Sequence, residues 1–187
     1  NGRWYEPPLS LDGLARSGRL EMLPRLHPVQ PTQAHPYVAA WQRIRSIMAD
    51  EVGLDPVPDN DRRLAQLLVE HGDDARFAAR IAGADDAMTP WPGFPASVAT
   101  GILDDVTYDW KTVLRHQLRT GGWPVLVDED DFVRATDRLT IALAGLDPTL
   151  PRPDATGAAG FAGYLVDPHR RHDDGPAVTI VSGRARS

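Results

Sequence analysis

The sequence predicts a mainly α fold: an irregular bundle of about five helices, with Pro-rich N- and C-terminal arms and one or two short strands. Three observations predict this fold. Apolar residues recur at helical spacing in several segments of the middle of the chain. Glycine or proline stands where most of these segments end. Prolines are also frequent towards both ends of the chain, where they prevent long helices.

Composition places the chain among ordinary globular proteins and limits its function. The chain has 187 residues, of which 42% are hydrophobic and 25% charged, with a net charge of −6. Because the chain is negatively charged, as nucleic acid is, we do not favour a nucleic-acid partner. Because the chain has no cysteine, disulfides and thiolate metal sites are excluded. We see no signal-peptide pattern and no apolar run near the ~20 residues of a membrane span. A cytoplasmic or particle-associated location is favoured, with no membrane contact and no cofactor.

Composition also suggests three segments. We expect residues 1–36 to be an extended Pro-rich N-terminal arm, residues 37–147 a helical core domain, and residues 148–187 a C-terminal arm with a short strand. The stretch from Pro24 to Thr32 should be extended, because residues that precede proline avoid the helical region.

The N-terminal arm carries apolar residues that it cannot bury alone. Trp4, Tyr5 and Leu9 lie among prolines and glycines that exclude a long helix. Exposed apolar groups of this kind mark interaction sites. We therefore expect these three residues to bind a protein partner or to mediate self-association.

The first core helix should begin at Pro36, whose missing N–H is not needed there, and end near Val52. Its inward stripe is Tyr37, Trp41, Ile44, Met48 and Val52. Two short helices are expected between residues 60 and 83. The loop after them, Thr89–Pro95, is rich in proline. It carries two further candidate partner-binding residues, Trp91 and Phe94.

The longest predicted helix runs from Ser97, as N-cap, to the glycine pair at 121 and 122. Trp110 lies in the middle of its apolar stripe and should be buried at the centre of the bundle. The stripe consists of Leu103, Val106, Trp110, Val113, Leu114 and Leu118.

The rest of the chain predicts one more helix and the strands. Residues 123–127 should form a short strand or an extended connector, and Asp128 should cap a helix that ends at Gly145. Residues 155–163 are small and should be flexible. The best strand candidate is the β-branched run from Ala177 to Val181.

Acids in the longest predicted helix suggest a metal site. Asp105 and Asp109 are four residues apart, so on one helix face they could share a divalent cation. With Asp104 they are similar to the aspartate-rich motif of class I isoprenoid synthases, which implies magnesium–diphosphate binding. The third acid of that motif falls where this chain has Tyr108. We favour the simpler interpretation that these acids are solvated.

A second candidate metal site lies near the C-terminus. His169 and His172, with Asp173, are residue types that bind zinc or nickel. The two arginines between the histidines would repel a cation, so we favour a polar surface turn.

One segment shows a resemblance to a known family. Residues 4–15, WYEPPLSLDGLA, resemble a stretch near the start of tailed-phage portal proteins of the PBSX type. The residues that follow depart from that family, and the chain is much shorter than a portal. The resemblance implies a virion or prophage protein.

These observations favour a non-catalytic helical interaction or assembly subunit of a larger complex. The alternative is a metal-dependent enzyme that uses the acidic face of the longest helix or the C-terminal His/Asp cluster. A third possibility is a regulator that binds a small ligand or nucleic acid through residues 60–83, although this segment is not basic.

Overall fold

The computed structural model describes residues 17–18, 20–21, 23–52, 83–167, 175–181 and 183. Within them it confirms a mainly α protein, with four α-helices and a two-stranded parallel sheet. The two helices predicted between residues 60 and 83 lie outside the described residues, except for Gly83 at their end. No helix in the described part of the chain has the length and apolar character needed to cross a membrane. In order, the elements are β1 (Val29–Pro31), α1 (Pro36–Val52), α2 (Trp110–Thr120), β2 (Val125–Val127), α3 (Glu129–Leu146) and α4 (Ala159–Val166).

The sheet joins the N-terminal part of the chain to its middle. Val29 pairs with Val125 and Pro31 with Val127, in parallel register. Proline is tolerated in β1 because a two-stranded sheet leaves one edge of each strand unpaired. The segment that we expected to be extended, up to residue 32, therefore contains the strand β1 near its end. Gly122 lets the segment before β1 pass close to its backbone, since a Cβ added at Gly122 would lie 1.9 Å from the carbonyl oxygen of Leu26.

A first group of buried residues, which we call the tryptophan core, lies between α1 and α2. The inward stripe of α1 is confirmed for Tyr37, Trp41 and Ile44, and Trp110 of α2 is only 7% exposed, as predicted. The tryptophan core consists of Tyr37, Ala40, Trp41, Ile44, Ala84, Ala87, Trp110, Leu114 and Leu118.

A second group, the alanine core, lies between the sheet, α3 and α4. Phe132, Ala135 and Leu139 face inward from α3. The alanine core consists of Ala99, Trp123, Val125, Val127, Phe132, Ala135, Ala159 and Ala162.

Helix α4 corrects the prediction that residues 155–163 are flexible. Residues 159–166 form a helix whose small side chains allow close packing. A Cβ at Gly163 would lie 2.4 Å from Cγ2 of Val29. The helix is therefore stabilised by tertiary packing against β1 rather than by its own amphipathic pattern. The division of the chain into two arms and a core stays a prediction, but residues from both flanking segments pack in the alanine core or beside it.

The longest predicted helix is wrong over its first half. The structure forms only a short 3-10 turn at Thr100–Ile102, and α2 begins at Trp110. The Oγ of Ser97 accepts from the N–H of Ala99, a local bond that competes with a helix. The N–H of Val98 donates to Oε2 of Glu129 at 2.7 Å, so this loop is fixed on α3. The predicted end is correct, since Gly121 has a φ of 70°.

The strand predicted at Ala177–Val181 is also absent. The structure assigns no regular secondary structure to these residues, and within the described residues the partner of β2 is Val29–Pro31 instead.

Candidate interaction surface

The two acids of the proposed metal site do not share a helix face. Asp105 lies in the loop before α2, where its carbonyl oxygen accepts from the N–H of Trp91 at 2.8 Å. Asp109 occupies the N-cap position of α2, and both side chains are exposed. The helical premise of this site, and of the likeness to isoprenoid synthases, is therefore wrong. A metal role for these residues stays a prediction.

Asp109 instead influences a buried polar pair in the tryptophan core. The hydroxyl of Tyr37 donates to Oε1 of Gln117 at 2.7 Å, and both residues are almost completely buried. Burial raises the pKa of the Tyr37 phenol well above its usual range, and the negative charge of Asp109 raises it further. The phenol therefore remains a neutral hydrogen-bond donor, which indicates a structural role for the pair.

The two aromatic residues of the Pro-rich loop differ in exposure. Phe94 is fully exposed, at 100%. Trp91 is half-buried, and its ring packs on His35 with 4.3 Å between ring centroids. A role for either in partner binding stays a prediction, and only Phe94 presents its whole side chain to solvent.

The remaining candidate residues lie outside the described residues. They are Trp4, Tyr5 and Leu9 of the N-terminal arm, and His169, His172 and Asp173 of the C-terminal cluster. Among the residues that the structure does describe, no group of three or more histidines or acids could hold a metal ion.

A polar cluster fixes the end of α4. Nε1 of Trp123 donates to Oδ1 of the buried Asp167 at 3.3 Å. The ring of His27 meets the Trp123 ring edge-on, with 4.5 Å between centroids. Nδ1 of His27 also lies 3.1 Å from the Trp123 carbonyl oxygen. These contacts hold together the segment before β1, the segment before β2 and the end of α4. They indicate a structural role for the cluster.

Several exposed apolar side chains lie in a surface that the sequence did not indicate as a site. We call it the C-terminal surface, and it comprises Tyr164, Val178, Ile180 and Val181. Val178 is 88% exposed and Ile180 is 80% exposed. The sequence contains a signal for this surface. Val178 and Ile180 alternate with Thr179, which is the two-residue period of a strand.

Contacts with α4 explain why these side chains point outward. Thr179 faces the helix, where its Cβ would lie 3.6 Å from a Cβ added at Gly160. Tyr164 is one helical turn from Gly160 on the same face of α4. The segment therefore crosses α4 with Thr179 inward and its neighbours Val178 and Ile180 in solvent.

A second exposed apolar surface lies at the end of α3. We call it the α3 tip, and it comprises Ile141, Leu146 and Leu150. Ile141 is 73% exposed. The inward residues Phe132, Ala135 and Leu139 lie in the first part of the helix, so its last turns project beyond the alanine core.

Comparison with known proteins gives no match: no family model, no curated protein and no solved structure is similar to the chain. A function for the chain therefore has to be inferred from its own sequence and surface.

Proposed function

We propose that this protein is a non-catalytic helical interaction subunit that associates with a protein partner or with itself. The observation that carries the proposal is the exposure of large apolar side chains in the C-terminal surface, at the α3 tip and at Phe94. Fully burying one such side chain is worth about 1.5–3 kcal/mol. Contiguous exposed apolar groups are typical of interaction sites, whereas single ones are normal on any protein.

The N-terminal arm belongs to the same proposal. We propose that Trp4, Tyr5 and Leu9 of this arm bind the same partner. The resemblance of residues 4–15 to phage portal proteins supports a partner within a virion or prophage assembly. In that setting the protein would be particle-associated.

The test is the mass of the purified chain by light scattering after size exclusion, alone and mixed with the proteins encoded beside it. We expect a mass above that of the monomer in at least one sample. A variant that lacks residues 1–16 tests the arm, because it removes Trp4, Tyr5 and Leu9 while retaining β1. A deletion to residue 30 would also remove Val29, which packs against the alanine core.

Circular dichroism provides the folding control for this deletion. If the shortened protein is folded but associates as the full chain does, the arm is not the binding element. If the full chain is a strict monomer that forms no complex in any mixture, the proposed function is wrong.

A further inference from the structure

We propose that residues 89–98, which we call the Phe94 loop, insert Phe94 into an apolar pocket of a protein partner whose surface around the pocket is positively charged. The inference rests on the proposed function, and it assigns both the surface and the chemistry of the partner. The exposure of Phe94, the contacts that fix the loop and the acids beside it all support this assignment.

The Phe94 loop leaves one aromatic side chain entirely in solvent. Phe94 is 100% exposed, and the preceding Gly93 has a φ of 95°. No described residue lies within 4 Å of a Cβ added at Gly93, so the glycine is needed for the left-handed turn and not for close packing. The turn presents the phenyl ring to solvent. Aromatic side chains are enriched at protein interfaces, which makes a ring presented in this way suited to a partner's pocket.

Three contacts fix the start of the loop on the rest of the protein. Nη1 of Arg43 in α1 donates to Oγ1 of Thr89 at 3.0 Å. The N–H of Trp91 donates to the carbonyl oxygen of Asp105 at 2.8 Å. The Trp91 ring also packs on His35, with 4.3 Å between ring centroids. The backbone three residues before Phe94 is therefore held in place.

A further hydrogen bond fixes the end of the loop, where the N–H of Val98 donates to Oε2 of Glu129 in α3 at 2.7 Å. Prolines at positions 90, 92 and 95 restrict the backbone between the two anchored ends. A loop that is already ordered loses little conformational entropy when it binds, so more of the free energy of burying Phe94 contributes to affinity.

Acidic residues surround both anchored ends of the loop. Residues 88–110 contain three acids and residues 121–133 contain four, and neither segment contains a lysine, an arginine or a histidine. The first cation after each segment, Lys111 and Arg134, is paired with an aspartate. The local charge is therefore negative. The exposed acids next to the anchored ends are Asp104, Asp105, Asp128 and Asp130.

These acids lie close enough to Phe94 to act on any partner that covers it. Phe94 is three residues from Trp91 and four from Val98, so its Cα lies within about 11 Å and about 14 Å of theirs. At physiological ionic strength the field of a charge is screened over about 8 Å. A partner that contacts Phe94 extends beyond these distances, since a standard interface buries about 800 Å² on each side. It therefore faces both groups of acids.

The sign of this charge identifies the partner. A second copy of this chain on the same surface would place acids opposite acids, and nucleic acid is also negatively charged, so both would be repelled. A positively charged protein surface would instead be attracted and would pair with the acids at the rim of the interface. Positive charge around an apolar pocket is thus the chemistry that fits Phe94 and its surroundings.

The first test uses a phage-displayed library of small protein domains with randomised surfaces, selected on the full-length protein without counter-selection. We expect the enriched domains to carry net positive charge at their randomised positions. Phe94→Ala should raise their dissociation constants at least about tenfold, because the anchor of the interface is lost. Ile141→Ala at the α3 tip is the matched control, since Ile141 is also exposed, and it should leave the constants unchanged.

Fluorescence anisotropy measures these dissociation constants, and circular dichroism shows whether each variant is folded. Phe94 is fully exposed, so its truncation should leave the fold intact. Enriched domains that bind the wild type and Phe94→Ala equally, or that carry no net positive charge, would overturn the proposal.

The second test separates charge from apolar contact. A double variant with Asp104→Asn and Asp105→Asn should raise the dissociation constants about three- to tenfold at low salt, and the difference should shrink as salt is added. The effect of Phe94→Ala should persist at high salt. Asp137→Asn is the matched control, because this exposed acid lies about 12 Å along α3 from Glu129. Identical constants for the double variant and the wild type at low salt would exclude a positively charged partner.

The outcomes separate this inference from the proposed function. A complex with another protein that forms equally well with Phe94→Ala refutes the docking of the Phe94 loop and supports the interaction role. Self-association that Phe94→Ala does not weaken does the same. A chain that binds no selected domain and forms no complex in any mixture refutes both.

Discussion

The tryptophan core and the alanine core are built from side chains of different size, and they respond differently to substitution. In the tryptophan core, large residues of α1 and α2 interdigitate around Trp41 and Trp110. In the alanine core, small residues of α4 let the helix approach the sheet closely, and Gly163 contacts Val29 directly. The first core is stabilised by the area that its side chains bury, and the second by the close approach of backbones. Removal of volume should therefore damage the first, and addition of volume the second.

The largest effect is expected from Trp110→Ala. Truncation of a buried large aromatic costs roughly 3–5 kcal/mol, because transfer free energy is lost and a cavity remains. The free energy of unfolding from a urea titration measures this loss. Phe94→Ala is the matched control, since Phe94 is fully exposed and its removal should change stability by less than about 0.5 kcal/mol. A loss below about 1 kcal/mol for Trp110→Ala would contradict its central position in this core.

Addition of one methyl group should have the next largest effect. In Gly122→Ala the new Cβ would lie 1.9 Å from a backbone oxygen of Leu26, which cannot move without displacing the segment before β1. We expect a loss of about 1–3 kcal/mol in the same measurement. Gly145→Ala is the control, because nothing lies within 4 Å of its added Cβ. Because Gly145 lies in the last turn of α3, its substitution should change stability by less than about 0.5 kcal/mol. Equal effects of the two substitutions would refute the close approach.

The buried polar pair of the tryptophan core should give an intermediate effect with a pH signature. Tyr37→Phe leaves Oε1 of Gln117 without its donor, at a cost of about 1–3 kcal/mol. Burial raises the pKa of Tyr37 in the folded state, so its stabilising contribution is fully present below the unfolded pKa of about 10. It is lost as the pH rises beyond that value.

Alkaline titration of stability measures this contribution. Stability of the wild type should fall above pH about 10. The fall should be shallower in Tyr37→Phe, which has no phenol to ionise at this position. Identical pH profiles above pH 10 would show that this phenol does not couple folding to proton release.

The same contrast in side-chain size decides how much of the fold the sequence predicts. Tyr37, Trp41 and Trp110 stand at helical spacing between polar residues, so the inward faces of α1 and α2 could be predicted. Helix α4 has apolar or small residues on all sides and therefore lacks an amphipathic pattern. Its helical state depends on contacts with β1, a strand that is distant from it in the sequence.

The errors before α2 and in the C-terminal segment have the same cause. Ser97 has the chemistry of an N-cap, but the N–H that follows it bonds to Glu129 of α3, and no local pattern records that bond. The β-branched run at 177–181 has strand chemistry, yet within the described residues β1 pairs with β2 instead. Local propensity therefore predicted which residues could form each element, and tertiary contacts determined which of them did.

The smallest effects on stability are expected from substitution of the N-cap residues of α3 and α2. Asp128 caps α3, and its side chain accepts from the N–H of Asp131 at 2.9 Å. Asp109 occupies the same position of α2 without a side-chain capping bond. We expect Asp128→Ala to cost about 1 kcal/mol, the usual value for a lost N-cap, and Asp109→Ala less than about 0.5 kcal/mol. Asp109→Ala also removes the negative charge that raises the pKa of Tyr37, without exposing the phenol. A larger loss for Asp109→Ala than for Asp128→Ala in urea titrations at neutral pH would show that the acid at the start of α2 stabilises the fold through contacts other than a cap.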